Sequence, residues 1–194
     1  MRRLSTPQRS ITTVARETQT GFAIWVTGLP ASGKSMVTAA LVERLKKRGA
    51  NTTVLESDVL RRAFSVQPRY DEQDREYFYG SIAFIGQILT EHGANVIFDA
   101  TANRRSYRER ARRQIPKFLE IHVDTPLDVC IRRDPKGIYK KGLAGLSQNV
   151  PGLQTRYESP VHPDLVIDGE QESPDAAADR IIKLLEEREL LKRA

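Results

Sequence analysis

The run Gly28-Leu-Pro-Ala-Ser-Gly-Lys-Ser35 holds residue types at a spacing that can bind phosphate. It fits the pattern G-x-x-x-x-G-K-[ST] without a gap or substitution. Gly28 and Gly33 permit backbone turns that aim N–H groups inward, and a helix N-terminus adds positive potential. Leu29, Pro30, Ala31 and Ser32 complete the loop between them. Lys34 is placed to neutralise the β/γ-phosphates of a nucleotide, and Ser35 to ligate Mg²⁺. Such a loop implies a nucleoside triphosphate with its metal, and leaves the fate of the phosphoryl group open.

Three uses of that nucleotide compete. A guanine-specific Asn/Thr-Lys-x-Asp segment is absent, which counts against a GTPase. The chain is small for a motor and lacks a downstream hydrophobic run ending in Asp-Glu. A small-molecule kinase needs a carboxylate near the acceptor, cations around the transferred group and a lid that excludes water. Asp58, Arg61, Arg75 and an insert carrying Lys136, Lys140 and Lys141 are candidates for these roles. Asp58 can orient an acceptor hydroxyl and take its proton. It can equally cap a short helix over Val59–Phe64. Asp99 has two matching readings: it holds Mg²⁺ through water, or it caps the next turn.

These residues need elements to hold them. Phe22–Thr27 is an apolar, β-rich run leading into the loop, and a helix follows from Lys34 to about Arg48, stopped by Gly49. Thr52–Glu56, Asn95–Phe98, Lys117–Thr125 and Asp164–Asp168 read as further strands. Helical periodicity runs through Asp71–His92, Arg104–Gln114, the stretch from Pro126 to Arg132, and Asp175–Lys192. Residues 133–160 break the rhythm with four glycines and three prolines, and an insert of that length is a lid or disorder. Strands alternating with helices predict an α/β fold, a parallel sheet sandwiched by helices with a flexible lid. In such sheets the ligand lies beyond the carboxyl ends of the strands. The phosphate loop, Asp58, Asp99 and Thr101 should therefore meet in one cleft.

A chain of 194 residues fits one domain, with 39% hydrophobic and 29% charged residues. One cysteine, Cys130, excludes an intramolecular disulfide, and cytoplasmic residence is the default. No apolar run is long enough for a bilayer, so no membrane partner is expected. The net charge of +6 is local. Residues 1–21 hold four arginines and one acid and read as a mobile basic arm, with the domain over 22–194 and its lid at about 133–160. Residues 104–113 hold six arginines and one acid. That patch is either a solvated face with Glu109 paired to Arg105 and Arg113, or an attractor for an acceptor of high negative charge.

The stretch Phe22–Ser35 resembles the opening of adenylylsulfate (APS) kinases, and Val123–Lys141 is similar to that family's strand, helix and lid nearly residue for residue. Tyr157-Glu-Ser-Pro160 and Pro163–Asp168 are similar to its C-terminal section. The resemblance implies transfer of the γ-phosphoryl of ATP, with Mg²⁺, to the 3′-hydroxyl of adenosine 5′-phosphosulfate. It places Asp58 and Arg61 against the acceptor ribose segment, Tyr70 on the substrate adenine, and Arg75 on the substrate. Lys140 and Lys141 fall in the lid, and Arg133 near the ATP adenine. The family often forms dimers, so a homodimer is expected.

The acceptor side departs from the family pattern. A substrate-contacting asparagine has become Phe78, a serine has become Ala102, and a second stacking aromatic aligns with Val150. Phe98–Arg105 instead resembles other small-molecule and polynucleotide kinases. Another phosphorylated or nucleotide-like alcohol is therefore the rival acceptor. A nucleic-acid-binding switch is the least supported class, because basic patches are less specific than an aligned lid.

Overall fold

Every side chain of strand β1 (Ala23–Thr27) is buried, as a strand covered by helices on both faces requires. Its neighbours are β3 (Asn95–Asp99) and β4 (Phe118–Asp124), with β2 (Thr52–Glu56) and β5 (Leu165–Asp168) at the edges. The order β2-β3-β1-β4-β5 is parallel throughout. The computed structural model describes residues 20–65 and 67–193.

Alternation along β1 divides the core. Ile24 and Val26 join Val37, Leu41 and Leu45 of α1 (Lys34–Lys47) and Ile181 and Leu185 of α7 (Pro174–Glu187) on one face. Ala23 and Trp25 point the other way, toward α3 (Glu72–Glu91) and α4 (Arg105–Gln114). There Trp25 stacks on Phe98 with ring centroids 4.5 Å apart, and its indole N–H donates to Ala100 O at 3.0 Å. Offset aromatic pairs of this kind add to the area they bury.

The remaining helices are α2 (Ser57–Phe64), α5 (Leu127–Arg133) and α6 (Ile138–Leu143). Helix α6 lies inside the insert that composition alone reads as loop. Its start is fixed by Gly137 in the left-handed region (φ 66°) and by Asp134, whose carboxylate accepts from the N–H groups of Ile138 and Lys140. Pro126 stands just outside α5 as its N-cap.

One sequence expectation is corrected here. Glu109 is not paired to Arg105 or Arg113; Arg105 faces Glu158 instead, at 3.7 Å. Arg108, 1% exposed, donates to Glu120 at 2.5 Å, to Glu158 O at 2.6 Å and to Ala102 O. Arg112 reaches Glu120 and Asp164, Arg110 reaches Glu76, and Arg104 reaches Glu72. Residues 1–19, most of the expected arm, lie outside the described residues; Thr20 and Gly21 are joined to the domain. Lys117 Nζ donates to Thr20 O at 3.0 Å, and Gly21 N–H to Thr90 O at 2.8 Å.

Candidate active site

The phosphate loop follows β1 and turns directly into α1. Gly28 is required by close approach: a Cβ there would lie 2.4 Å from Val123 O and 2.7 Å from Ser32 Oγ. Gly33 sits at φ 104°, and a Cβ there would meet nothing within 4 Å, so open space lies above the loop. Thr125 Oγ1 donates to Ser32 O at 2.9 Å and anchors the loop to the end of β4. No side chain caps α1, so its first N–H groups remain free for an anion.

Ser32 Oγ is buried with no partner. An orphaned hydroxyl beside free helix N–H groups fits a phosphate oxygen. Lys34 is 8% exposed, and its ammonium folds over the loop to donate to Leu29 O at 2.7 Å. Burial pulls its pKa down to about 8, against the attraction of Asp99 and Asp58. A buried lysine of that kind gains from a phosphate that stabilises its charge.

A cleft of about 910 Å³ opens beyond the carboxyl ends of the strands. On the donor side it is lined by Pro30 through Ser35 and by Arg133, whose Nη1 donates to Gly169 O at 2.8 Å. Gly28 and Leu29, the first two residues of the loop, are not among the residues of the cleft wall. Asp99, 6% exposed at the end of β3, and Ser35 in the first turn of α1 both face the cleft. This pair of oxygen donors fits a Mg²⁺ whose other ligands are nucleotide phosphate and water. Among the described residues no cluster of three or more His, Cys, Asp or Glu could hold a metal without them.

The acceptor side is built from α2, α3 and the segment after β3. Asp58, Arg61, Tyr70, Arg75 and Thr101 all line the same cleft. Asp58 lies within α2, whose N-cap is Glu56 without a side-chain bond, so the capping reading is withdrawn. Its carboxylate instead accepts from Lys136 Nζ at 2.5 Å. Arg61 Nη1 donates to Asp74 Oδ2 at 2.7 Å. Arg75, 5% exposed, donates from Nη2 to Asn149 O, while its Nη1 is buried without a partner. Burial lowers its pKa, a cost that an anion in the cleft would remove. Thr101 is placed by its carbonyl, which accepts from Thr27 Oγ1 at 2.7 Å.

The lid is docked on the phosphate loop. Tyr139 of α6, fully buried, donates to Pro30 O at 3.1 Å, and Cys130, Tyr139 and Val150 pack with Leu29 and Ala31. Within the lid, Lys136 and Lys141 line the cleft. Lys140 does not: its side chain is exposed outside it. Of the insert's three candidate lysines, Lys136 is the one that meets Asp58, and its place beside Gly137, which turns the chain there, is the local signal for it. Tyr79 and Asn149 also line the cleft and were missed. Of the three departing positions, Val150 is in the wall, whereas Phe78 and Ala102 are not among its residues.

Comparison with known proteins identifies the family. The family profile described as "Adenylylsulphate kinase" matches residues 20–168. An adenylyl-sulfate kinase of Pseudomonas aeruginosa is 39% identical over 175 residues, covering 89% of each chain. One from Synechococcus sp. is 35% identical over 168 residues, covering 87% of this chain and 96% of its own. The structure of the Mycobacterium tuberculosis APS kinase in complex with AMPPNP and APS superposes with a TM-score of 0.81 at 33% identity, covering 86% of this chain and 98% of that one. The phosphate loop, the docked lid and these relatives together establish that the chain belongs to the adenylylsulphate kinase family.

Proposed function

We propose that this protein transfers the γ-phosphoryl group of ATP to the 3′-hydroxyl of adenosine 5′-phosphosulfate, releasing ADP and 3′-phosphoadenylylsulfate. The observation that carries the reading is a single cleft with the phosphate loop on one wall and Asp58, Arg61 and Arg75 on the other. The Mycobacterium tuberculosis relative is described with both an ATP analogue and APS bound. Lys34 and the N–H groups of α1 hold the donor phosphates. Asp58 orients the 3′-hydroxyl and takes its proton. Arg61 and Arg75 bind the anionic end of the acceptor, and Tyr70 offers a ring to its base. Lys136 and Lys141 close over the transferred group from the lid and exclude water. Mg²⁺, held by Ser35 and Asp99 with the nucleotide, supplies charge neutralisation when bound.

The test is ADP release and product identification with ATP and APS. Production of 3′-phosphoadenylylsulfate, abolished by Lys34→Ala, is the expected result; ATP turnover with other acceptors but not APS would replace the substrate. A second reading keeps the kinase and changes the acceptor to another phosphorylated alcohol. Val150 favours it, because the cleft wall there is aliphatic where a stacking ring would grip a base. A screen over nucleotides, polynucleotide ends and sugar phosphates separates the two. No helix among the described residues is long and apolar enough to cross a membrane. We further infer a cytoplasmic location, where ATP is abundant, and a homodimer, which the family resemblance supports and light scattering checks.

A further inference from the structure

Arg61 forms part of two walls. It lines the main cleft, and it lines a second cavity of about 290 Å³ behind it, together with Phe64, Asp74 and Phe78. Its guanidinium is almost fully buried, and Asp74 Oδ2 accepts from Nη1 at 2.7 Å while also accepting from Tyr70 N–H at 3.1 Å. One hydrogen bond does not fix a guanidinium plane, because rotation about that contact stays open. Phe78 supplies the missing constraint. Its ring centroid is 3.9 Å from Arg61 Cζ, nearer than those of Tyr70 at 4.8 Å and Tyr79 at 5.5 Å. The Phe78 ring is itself held edge-on against Tyr79, with centroids 5.2 Å apart at 72°, and tilted against Phe64 at 6.0 Å. Phe78 is 3% exposed, lines the second cavity and is not among the residues of the main cleft.

We propose that Phe78 is a positioning residue for the acceptor's anionic group, acting through Arg61; this rests on the phosphotransfer proposed above. The ring presents a flat π-face to the guanidinium and blocks its retreat into the rear cavity. The N–H groups not given to Asp74 then stay directed at the cleft. The asparagine expected at this position from the family pattern would touch substrate itself. Phe78 does not, and it sets the orientation of a residue that does.

The test is steady-state kinetics of the full chain with ATP and APS, with melting temperature followed for each variant. Phe78→Leu keeps an apolar side chain and removes the π-face. It should raise the KM for APS about tenfold, leaving kcat and the KM for ATP within about twofold. Phe78→Tyr should stay within about twofold of wild type throughout. In an Arg61→Lys background, Phe78→Leu should add less than about twofold, because the planar partner is gone. A Phe78→Leu variant with unchanged melting and unchanged APS KM overturns the proposal, as does an equal rise in both KM values. A second readout does not need turnover. In the NMR spectrum of the arginine side chains, the Arg61 Hε signal should be shifted upfield by the ring and return toward its ordinary position in Phe78→Leu. Equal shifts in the two proteins overturn the proposal. If wild type ignores APS while the Hε shift behaves as expected, the substrate reading fails and the Phe78–Arg61 relationship stands.

Discussion

Lys136 Nζ donates to Asp58 Oδ2 at 2.5 Å, joining the lid to the carboxylate on the acceptor wall. The pairing raises the Lys136 pKa, with the Asp58 hydrogen bond as the first cause. Both side chains are about half exposed, 56% and 44%, so the pair contributes little to folding. Its consequence is functional: an acceptor hydroxyl approaching Asp58 must share or displace a cation.

Asp58→Asn keeps the shape and removes the base. The expected loss in kcat is on the order of 10²–10⁴-fold with a small change in melting temperature. Lys136→Gln should leave the melting temperature within about one degree and lower kcat/KM for the acceptor, because the lid loses its hold on that wall. Steady-state kinetics beside thermal melts checks both. A Lys136→Gln enzyme with wild-type kinetics would remove Lys136 from the site.

Lys34 should couple nucleotide binding to protons. With its pKa near 8, about half the chains hold a neutral Lys34 at pH 8. Phosphate in the loop favours the charged form and raises that pKa. Binding at pH 8 should therefore take up roughly half a proton, falling to nearly none at pH 6.5. Titration calorimetry in buffers of different ionisation enthalpy measures this directly, and Lys34→Arg should abolish the uptake because arginine stays charged. The sign for folding follows. The unfolded lysine keeps its proton up to its ordinary 10.5, so the unfolded chain binds more protons between about 8 and 10.5. Over that window this group's contribution to stability rises with pH, and below it the cost of the buried charge is present in full.

Strand and helix positions were legible because their signals are local. The apolar, β-rich run of Phe22–Thr27 and the stop at Gly49 need no knowledge of partners. The loop-to-helix step that positions Lys34 and Ser35 is equally local. The ion pairs of α4 were not legible, since Glu72, Glu76, Glu120, Asp164 and Glu158 come from distant parts of the chain. The choice between the lid's lysines was not legible for a different reason. Lys140 and Lys141 are neighbours on α6, about 100° apart around the axis, and only the docking of Tyr139 on Pro30 decides which one faces the cleft. Phe78 was visible as a departure, but its contact with Arg61 requires α2 and α3 to be packed first.

Arg108 should matter to stability more than its place in a charge run suggests. It bonds three chain segments at once: Glu120 on β4, Ala102 after β3 and Glu158 near the end of the insert. Arg108→Met leaves Glu120, 8% exposed, without its main cation, although Arg112 remains at 3.4 Å. Removing one partner of a buried pair costs about 3–5 kcal/mol, and the residual arginine should hold the loss to the lower end. Urea unfolding gives the number. A loss below about 1 kcal/mol would mean that the network relaxes onto Arg112.

Tyr139 tests whether the lid serves to exclude water. Its hydroxyl donates to Pro30 O at 3.1 Å, and burial pushes its pKa well above the ordinary tyrosine value, so it stays a neutral donor across the working pH range. Tyr139→Phe keeps the ring in its cluster with Cys130 and Val150 and removes the tie to the phosphate loop. The unpaired Pro30 carbonyl costs about 1 kcal/mol, too little to unfold the domain. The lid should open more often. The expected signature is faster hydrolysis of ATP in the absence of acceptor, together with a higher KM for ATP. Coupled ADP-release assays with and without acceptor separate the two effects. If acceptor-free hydrolysis does not rise, the contact serves packing alone, and water is kept out by the remainder of the insert.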